Sequence, residues 1–461
     1  MPDMKAVGLS DVLDQLATLL ESSQFSQAEG LLWPALDQYP DNPALWHYAA
    51  CLMHATGRSA PACEMWLKSM ALEPNPNLWA NVGAALRAIR QNEEAVRALE
   101  LGLQSKPEDV GLLTNLTACY VNEGDPWKGI EYGERAAAIG TEKKALFNLA
   151  LCHLEAGNYA RGFDLYAQGD HQHRYRKVYG TTPNLDPELH ERLKGQGKTL
   201  IVHGEQGIGD ELMFGTMLKD VSRDYRIVLD GHPRLGWLHE HSNWYSPLAK
   251  VYRTRKVTSE WMDKTGADAK VAIGDLARLY RRESKDFTWT GPVYWAPESE
   301  RQQMRAHLEA LADGRKIVGL ATRGGYLSTN RHYRSMDLSV LRPLLERDDI
   351  LWVGLDYEDV SDLAKGLKHY LWFPSVTFHF DYEHTAALLA ATDAVVTVCQ
   401  SVAHLSAAMG HRTLVLTPSR PAWRYGVKGD RWVWYPGEHA QLYRQDGNDW
   451  APAVAAVGAA L

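Results

Sequence analysis

TLIVHGEQGIGDELMFG, residues 199–215, decides how the larger part of the chain folds. It opens as a short apolar run, TLIVHG, and passes through a loop carrying Gly204, Gly207 and Gly209. From Asp210 the apolar residues of DELMFGTMLKDV (210–221) recur at helical spacing. Strand, glycine loop and helix make the first half of a βαβ unit. The alternation continues through YRIVLDG (225–231), ADAKVAIGDLARLY (267–280), RKIVGLATRGG (315–325), ILWVGLD (350–356), HTAALLAATDAVVTVCQ (384–400) and TLVLTPS (413–419). Such a pattern predicts parallel sheets covered by helices. The length from 198 onward suits two Rossmann-like halves, with APESERQQMRAHLEALADGR (296–315) as a helix between them. In open parallel sheets, ligands sit beyond the carboxyl ends of the strands. Chemistry is therefore to be sought in the loops after these apolar runs.

The glycine loop itself reads G-x-x-G-x-G, which is neither the dinucleotide fingerprint nor a lysine-containing P-loop. Asp210 and Glu211 already put negative charge on the helix start. A diphosphate there would meet repulsion, so the sequence places the phosphate site elsewhere.

The chain has 461 residues, enough for two or three domains. Its 45% hydrophobic and 23% charged residues are those of a globular protein. A net charge of -8 argues against non-specific binding to nucleic acid or to anionic membranes. No apolar run reaches spanning length and no leader peptide is read at the start, which gives a cytoplasmic expectation. Five cysteines without C-x-x-C spacing point to neither a disulfide framework nor a zinc site.

Before residue 172 the texture is different. Gly57, Arg90, Gly124 and Gly157 follow one another at intervals of 33, 34 and 33 residues. Eleven residues before each stands Trp46, Trp79, Leu113 or Leu146, and five after each stands Ala62, Ala95, Gly129 or Gly162. Pro74 and Pro107 close the first two units, and a weaker unit puts Ala28 and Pro40 at the same offsets from Ser23. The pattern resembles the tetratricopeptide repeat, four clear units and a degenerate one over residues 9–172. The resemblance implies paired antiparallel helices stacked into a solenoid whose concave face takes a protein or peptide, or which serves as a spacer. Residues 173–197, rich in glycine, proline and charge, read as a linker. His171 and His173 nearby lack a third ligand at metal-binding spacing.

GEQGIGDELMFG (204–215) resembles the first loop of the heptosyltransferase family, glycosyltransferase family 9, and its repeat-fused relatives. DAVVTVCQSVAHLSAAMGHRTLVLTPSRPAWRYG (393–426) resembles that family's nucleotide-sugar loop. TRGGYLSTNRHYRSMDLSVLRPLL (322–345) and LYRQDGNDWAPAVAAV (442–457) are further matches. The resemblance implies a GT-B fold, with an acceptor-side lobe over 198–300 and a nucleotide-sugar lobe over 301–461. It also implies inverting sugar transfer from a nucleotide diphosphate sugar, with no cofactor and no metal.

Carried onto this sequence, the resemblance makes Asp210 the base, with a helix N-cap as the simpler alternative. Glu205, Gly207 and Gly209 fall on the acceptor side, Glu205 as a rival base, an orienting group or a loop residue. The nucleotide sugar falls to Cys399, Gln400, Ser401, Val402 and His404 at a helix start, with Arg323 near the phosphates and Asp356 on a ribose or base hydroxyl. Arg331, Arg334 and Glu358 are secondary candidates. Trp423, Arg424 and Tyr425 either stack on the donor or pack. Cys399–Gln400 replaces the Asp–Thr or Asp–Ser usual in the relatives. That departure keeps a second reading open, a non-catalytic repeat scaffold with a degenerate GT-B domain. The donor sugar, the acceptor and the oligomeric state are not legible.

Overall fold

The computed structural model describes residues 8–140, 142–169, 182–204, 207–246, 249–252, 266–325, 335–336 and 338–461. Glu205, His171, His173, Arg331 and Arg334 lie outside the described residues. The chain divides into two compact units, Met1–Cys152 and His153–Leu461.

The first unit is helical and tetratricopeptide-like. Helices α1 (Leu9–Glu21), α2 (Phe25–Gln38), α3 (Pro43–Ala55), α4 (Ser59–Leu72), α5 (Leu78–Ala88), α6 (Asn92–Ser105), α7 (Val110–Glu123) and α8 (Pro126–Ile139) pack as successive pairs. Helix α9 (Lys143–Glu155) runs across the division, and α10 (Tyr159–Tyr166) lies in the second unit. The register read from the sequence is visible in the backbone. Gly57, Gly124 and Gly157, and also Ser23 and Arg90, take left-handed φ values of 83°, 70°, 81°, 57° and 69°. Each sits in the turn between the two helices of its unit. The turn geometry thus survives where the glycine does not, at a cost of about 1–2 kcal/mol for a side chain there. Arg90→Gly is therefore expected to raise the unit's stability by about 1 kcal/mol, read by urea unfolding.

The small residues five positions after each turn are needed for close approach. Ala62 and Ala95 are fully buried. A Cβ added at Gly129 would stand 2.4 Å from the Cys152 sulfur. The prolines fall just beyond helix ends, Pro40 after α2, Pro74 after α4 and Pro107 after α6, where no further turn can form. Asn42 and Asp109 cap α3 and α7 by accepting from the Leu45 and Leu112 amides at 3.0 and 2.9 Å.

The second unit contains two sheets in which every paired strand runs parallel. The first holds β1 (Lys198–His203), β2 (Tyr225–Asp230), β3 (Lys250–Tyr252) and β4 (Ala269–Ala272) in the order β3-β2-β1-β4. The second holds β5 (Lys316–Ala321), β6 (Ile350–Gly354), β7 (Tyr370–Trp372), β8 (Ala394–Val398), β9 (Thr413–Thr417) and β10 (Ala440–Arg444), in the order β10-β9-β8-β5-β6-β7. Counted from β5, that is the 3-2-1-4-5-6 order of doubly wound nucleotide-binding sheets, reversing between β5 and β8. The first sheet has the matching 3-2-1-4 order and reverses between β1 and β4. The core strands are buried along nearly their whole length, as parallel strands covered on both faces must be.

The helix expected between the sheets is Glu298–Ala312. Part of the segment read as a linker belongs to the first sheet's surroundings. Leu185 donates its amide to the Lys270 carbonyl of β4, and His190 pairs with the Tyr225 hydroxyl at 2.9 Å. Among the described residues no helix is long and apolar enough to cross a membrane.

Candidate functional site

The loops at the two reversal points meet. The helix Ile208–Gly215, which follows β1, packs against the helix Ser401–Ala408, which follows β8. They touch at Gly209, where an added Cβ would lie 3.4 Å from Ser401 Cα and 3.3 Å from His404 Cδ2. A side chain there must push one of these neighbours back, which explains the glycine better than loop flexibility does. The sequence assigned acceptor chemistry and phosphate binding to separate lobes. The two stand on different sheets and come together at one junction, because Asp210 is the residue after this contact.

Asp210 forms an ion pair with Arg424, which lies in the turn Trp423–Tyr425 beyond β9. Both side chains are mostly buried, 15% and 19% exposed. Burial pulls the Arg424 guanidinium down, and the facing Asp210 carboxylate more than offsets it and holds the group above its usual value. The Trp432 indole N–H donates to the Arg424 carbonyl at 2.9 Å and fixes the turn's backbone.

Glu211, one residue on, points the other way. It is 1% exposed, and its carboxylate accepts from the His232 amide at 2.6 Å and pairs with His239 Nε2 at 3.1 Å. Successive helical residues differ by about 100° in direction. The acidic pair thus splits into a junction-facing Asp210 and a buried anchor.

On the other side, Ser401 Oγ accepts from the Tyr382 hydroxyl at 2.8 Å. Val402 is buried. Gln400, at the N-cap position, is 4% exposed, and neither its amide nitrogen nor its amide oxygen has a hydrogen-bond partner. A buried, unsatisfied amide is costly, and its place at a helix start fits a bound polar group. Cys399 is fully buried, its sulfur 4.0 Å from the Leu416 carbonyl.

His404 departs from its expected role as a ring donor to a ligand. Its Nδ1 lies 3.2 Å from the Tyr435 hydroxyl and its Nε2 3.1 Å from the Tyr425 hydroxyl, so both ring nitrogens are engaged within the fold.

Asp356 departs as well. It is fully buried, and its carboxylate accepts from the Thr322 amide and hydroxyl and the Arg323 amide, at 3.0–3.1 Å. It shapes the loop after β5 rather than presenting itself to a ribose. Arg323, half-exposed, donates to the Asp359 carbonyl at 3.1 Å and lies 3.9 Å from Glu358. It belongs to the same pair of loops, beside the reversal point.

Burial raises the Asp356 carboxyl from 3.8 to about 6, against the pull of its hydrogen-bond donors. A raised value in the folded state means that the native protein holds the proton more tightly than the unfolded chain does. The favourable contribution is complete below pH 3.8 and is lost as the pH rises through about 6. Asp356→Asn cannot ionise. The stability of wild type minus that of Asp356→Asn should therefore fall by about 2 kcal/mol between about pH 4.5 and about pH 7 in paired urea titrations.

The sequence reading missed one periodic feature. Asn81, Asn115 and Asn148 stand two residues after Trp79, Leu113 and Leu146, so they share the repeat's spacing. Asn115 Nδ2 donates to the Ala80 carbonyl at 3.3 Å, and Asn148 Nδ2 donates to the Thr114 carbonyl at 3.4 Å. All three are half-buried. Among the described residues no group of three or more His, Cys, Asp or Glu is placed to hold a metal ion.

The chain therefore combines a tetratricopeptide-like helical region with two parallel sheets, and the helices that follow β1 and β8 meet at Gly209 and Ser401. No family model matches it. It is 24% identical over 549 aligned residues to Protein FlbA of Caulobacter vibrioides, across 100% of this chain and 91% of that protein. Two solved structures are similar to part of it. Pseudomonas aeruginosa PilF is 21% identical, TM-score 0.32, over 35% of this chain and 76% of that one. A thermophilic tetratricopeptide protein of Thermus thermophilus, TTC0263, is 19% identical, TM-score 0.32, over 36% of this chain and 93% of that one.

Proposed function

We propose that this chain is an inverting glycosyltransferase of GT-B architecture. It moves a sugar from a nucleotide diphosphate sugar to an acceptor hydroxyl, without a metal, on a protein recruited by the repeats. The observation that carries the reading is the meeting of the two reversal-point loops. A carboxylate at the end of one sheet stands beside a helix start at the end of the other, and the buried Gln400 amide at that helix start has no partner. Two doubly wound sheets joined in this way are what a GT-B enzyme requires.

In the proposed reaction, Asp210 takes the proton of the acceptor hydroxyl. The acceptor oxygen bonds to the anomeric carbon from the face opposite the nucleotide. The bond from that carbon to the phosphate oxygen breaks, and its electron pair leaves with the diphosphate. The positive end of the helix Ser401–Ala408 stabilises that charge.

The recruitment of a protein rests on the asparagine row. Each amide that donates to the preceding repeat keeps a side-chain oxygen able to accept from the backbone of an extended peptide.

A second reading, a non-catalytic repeat scaffold, is favoured by one observation. His404 is tied to two tyrosines, and Cys399 is buried where a carboxylate would serve. Thermal-shift measurements with ADP, GDP, UDP and dTDP separate the two. Stabilisation by at least one of them is expected, and stabilisation by none gives the scaffold reading the field.

A further inference from the structure

Resting on that glycosyltransferase reading, we propose that Arg424 alternates between two anions, the Asp210 carboxylate in the empty protein and the diphosphate of the bound donor. Donor binding thereby uncovers the base.

Arg424 is delivered from the second sheet and Asp210 from the first, so their pair is a contact across the junction. Gly209, the neighbour of Asp210, touches the first turn of the Ser401–Ala408 helix. Tyr425, the neighbour of Arg424, reaches His404 in the same turn at 3.1 Å. The Asp210–Arg424 pair thus stands at the same junction as the helix start assigned to the diphosphate.

Arg424's backbone is held by Trp432, and its guanidinium lies over the Trp423 ring, 5.0 Å from the centroid, a face across which it would turn from one anion to the other. A planar guanidinium suits a bidentate grip on phosphate oxygens as well as on a carboxylate. While it holds Asp210, it competes with an acceptor hydroxyl for that carboxylate. Gln400, buried and unpaired at the same helix start, supplies a further polar group for the incoming donor.

Two anions competing for one cation leave a thermodynamic signature. Affinity for the diphosphate is reduced by the fraction of molecules in which Arg424 is occupied by Asp210. Removing the carboxylate, although it is the base, should therefore tighten donor binding. Calorimetric titration of inorganic pyrophosphate, ADP, GDP, UDP and dTDP tests this with wild type, Asp210→Asn, Arg424→Gln and the double variant. Circular dichroism confirms that each is folded.

For a probe that binds wild type, Asp210→Asn should bind about ten-fold tighter and Arg424→Gln about ten-fold weaker. The double variant should bind no tighter than Arg424→Gln, because the carboxylate acts through the guanidinium. If a probe binds wild type but Asp210→Asn leaves the affinity unchanged or weakens it, the alternation is overturned and the glycosyltransferase reading stands. If no probe binds wild type, both fall together.

Discussion

Asp210→Asn is expected to lower sugar transfer by ~10²–10⁴-fold, the usual contribution of a positioned general base, in a protein that remains folded. The amide keeps the size of the carboxylate and can still accept from Arg424, so the protein should fold, at a stability cost of about 1–3 kcal/mol for a buried guanidinium without its counter-charge, while the large loss appears in turnover. It cannot take a proton from the acceptor. Donor affinity should rise while turnover falls, a combination that a merely structural role for Asp210 would not produce. The comparison is made by single-turnover assays at saturating donor, with unfolding curves on the same preparations.

Glu211→Ala should have the opposite character. Glu211 is buried, and its carboxylate holds the His232 amide and the fully buried His239 ring. The backbone at Gly231 passes so close that an added Cβ would lie 2.9 Å from Glu211 Oε1. Removing the carboxylate strands the buried His239 nitrogen and the His232 amide and opens a cavity, and each polar group left without its partner costs about 1–3 kcal/mol. Glu211→Gln keeps an acceptor for the His232 amide and should cost about 1–2 kcal/mol. Urea unfolding followed by tryptophan fluorescence reads both variants. A loss below about 1 kcal/mol for Glu211→Ala would mean that the helix Ile208–Gly215 is anchored by something else.

These neighbours show how far the sequence could be read. An acidic pair at a helix start is visible in the sequence, but its division into one buried and one junction-facing residue depends on what each direction meets. The repeat register was legible down to individual turns, because the period repeats a backbone requirement. Ser23 and Arg90 keep a left-handed conformation although neither is glycine. The buried strands were legible as apolar runs, whereas the three-residue β3 and β7 are too short to leave a pattern.

The site was only partly legible. Asp210 and Arg424 are separated by 214 positions, and no local pattern announces an ion pair at that range. Asp356 sits where a ligand-facing acid is expected, at the end of β6, yet its neighbours' amides turn it inward. The tyrosines holding His404 lie 21 and 31 residues downstream in irregular chain. The asparagine row was within reach of the sequence, since its spacing is the repeat's own.

The central claim, sugar transfer governed by Asp210, is tested most directly by phosphorus NMR of nucleotide sugars incubated with the full chain. UDP-glucose, UDP-N-acetylglucosamine, GDP-mannose, ADP-heptose and dTDP-rhamnose would each be followed for release of the free nucleoside diphosphate, with water, deprotonated by Asp210, taking the sugar in place of the acceptor hydroxyl. Release from at least one donor by wild type, lost in Asp210→Asn, is the predicted result. Equal release by wild type and Asp210→Asn, or no release from any donor, would contradict it.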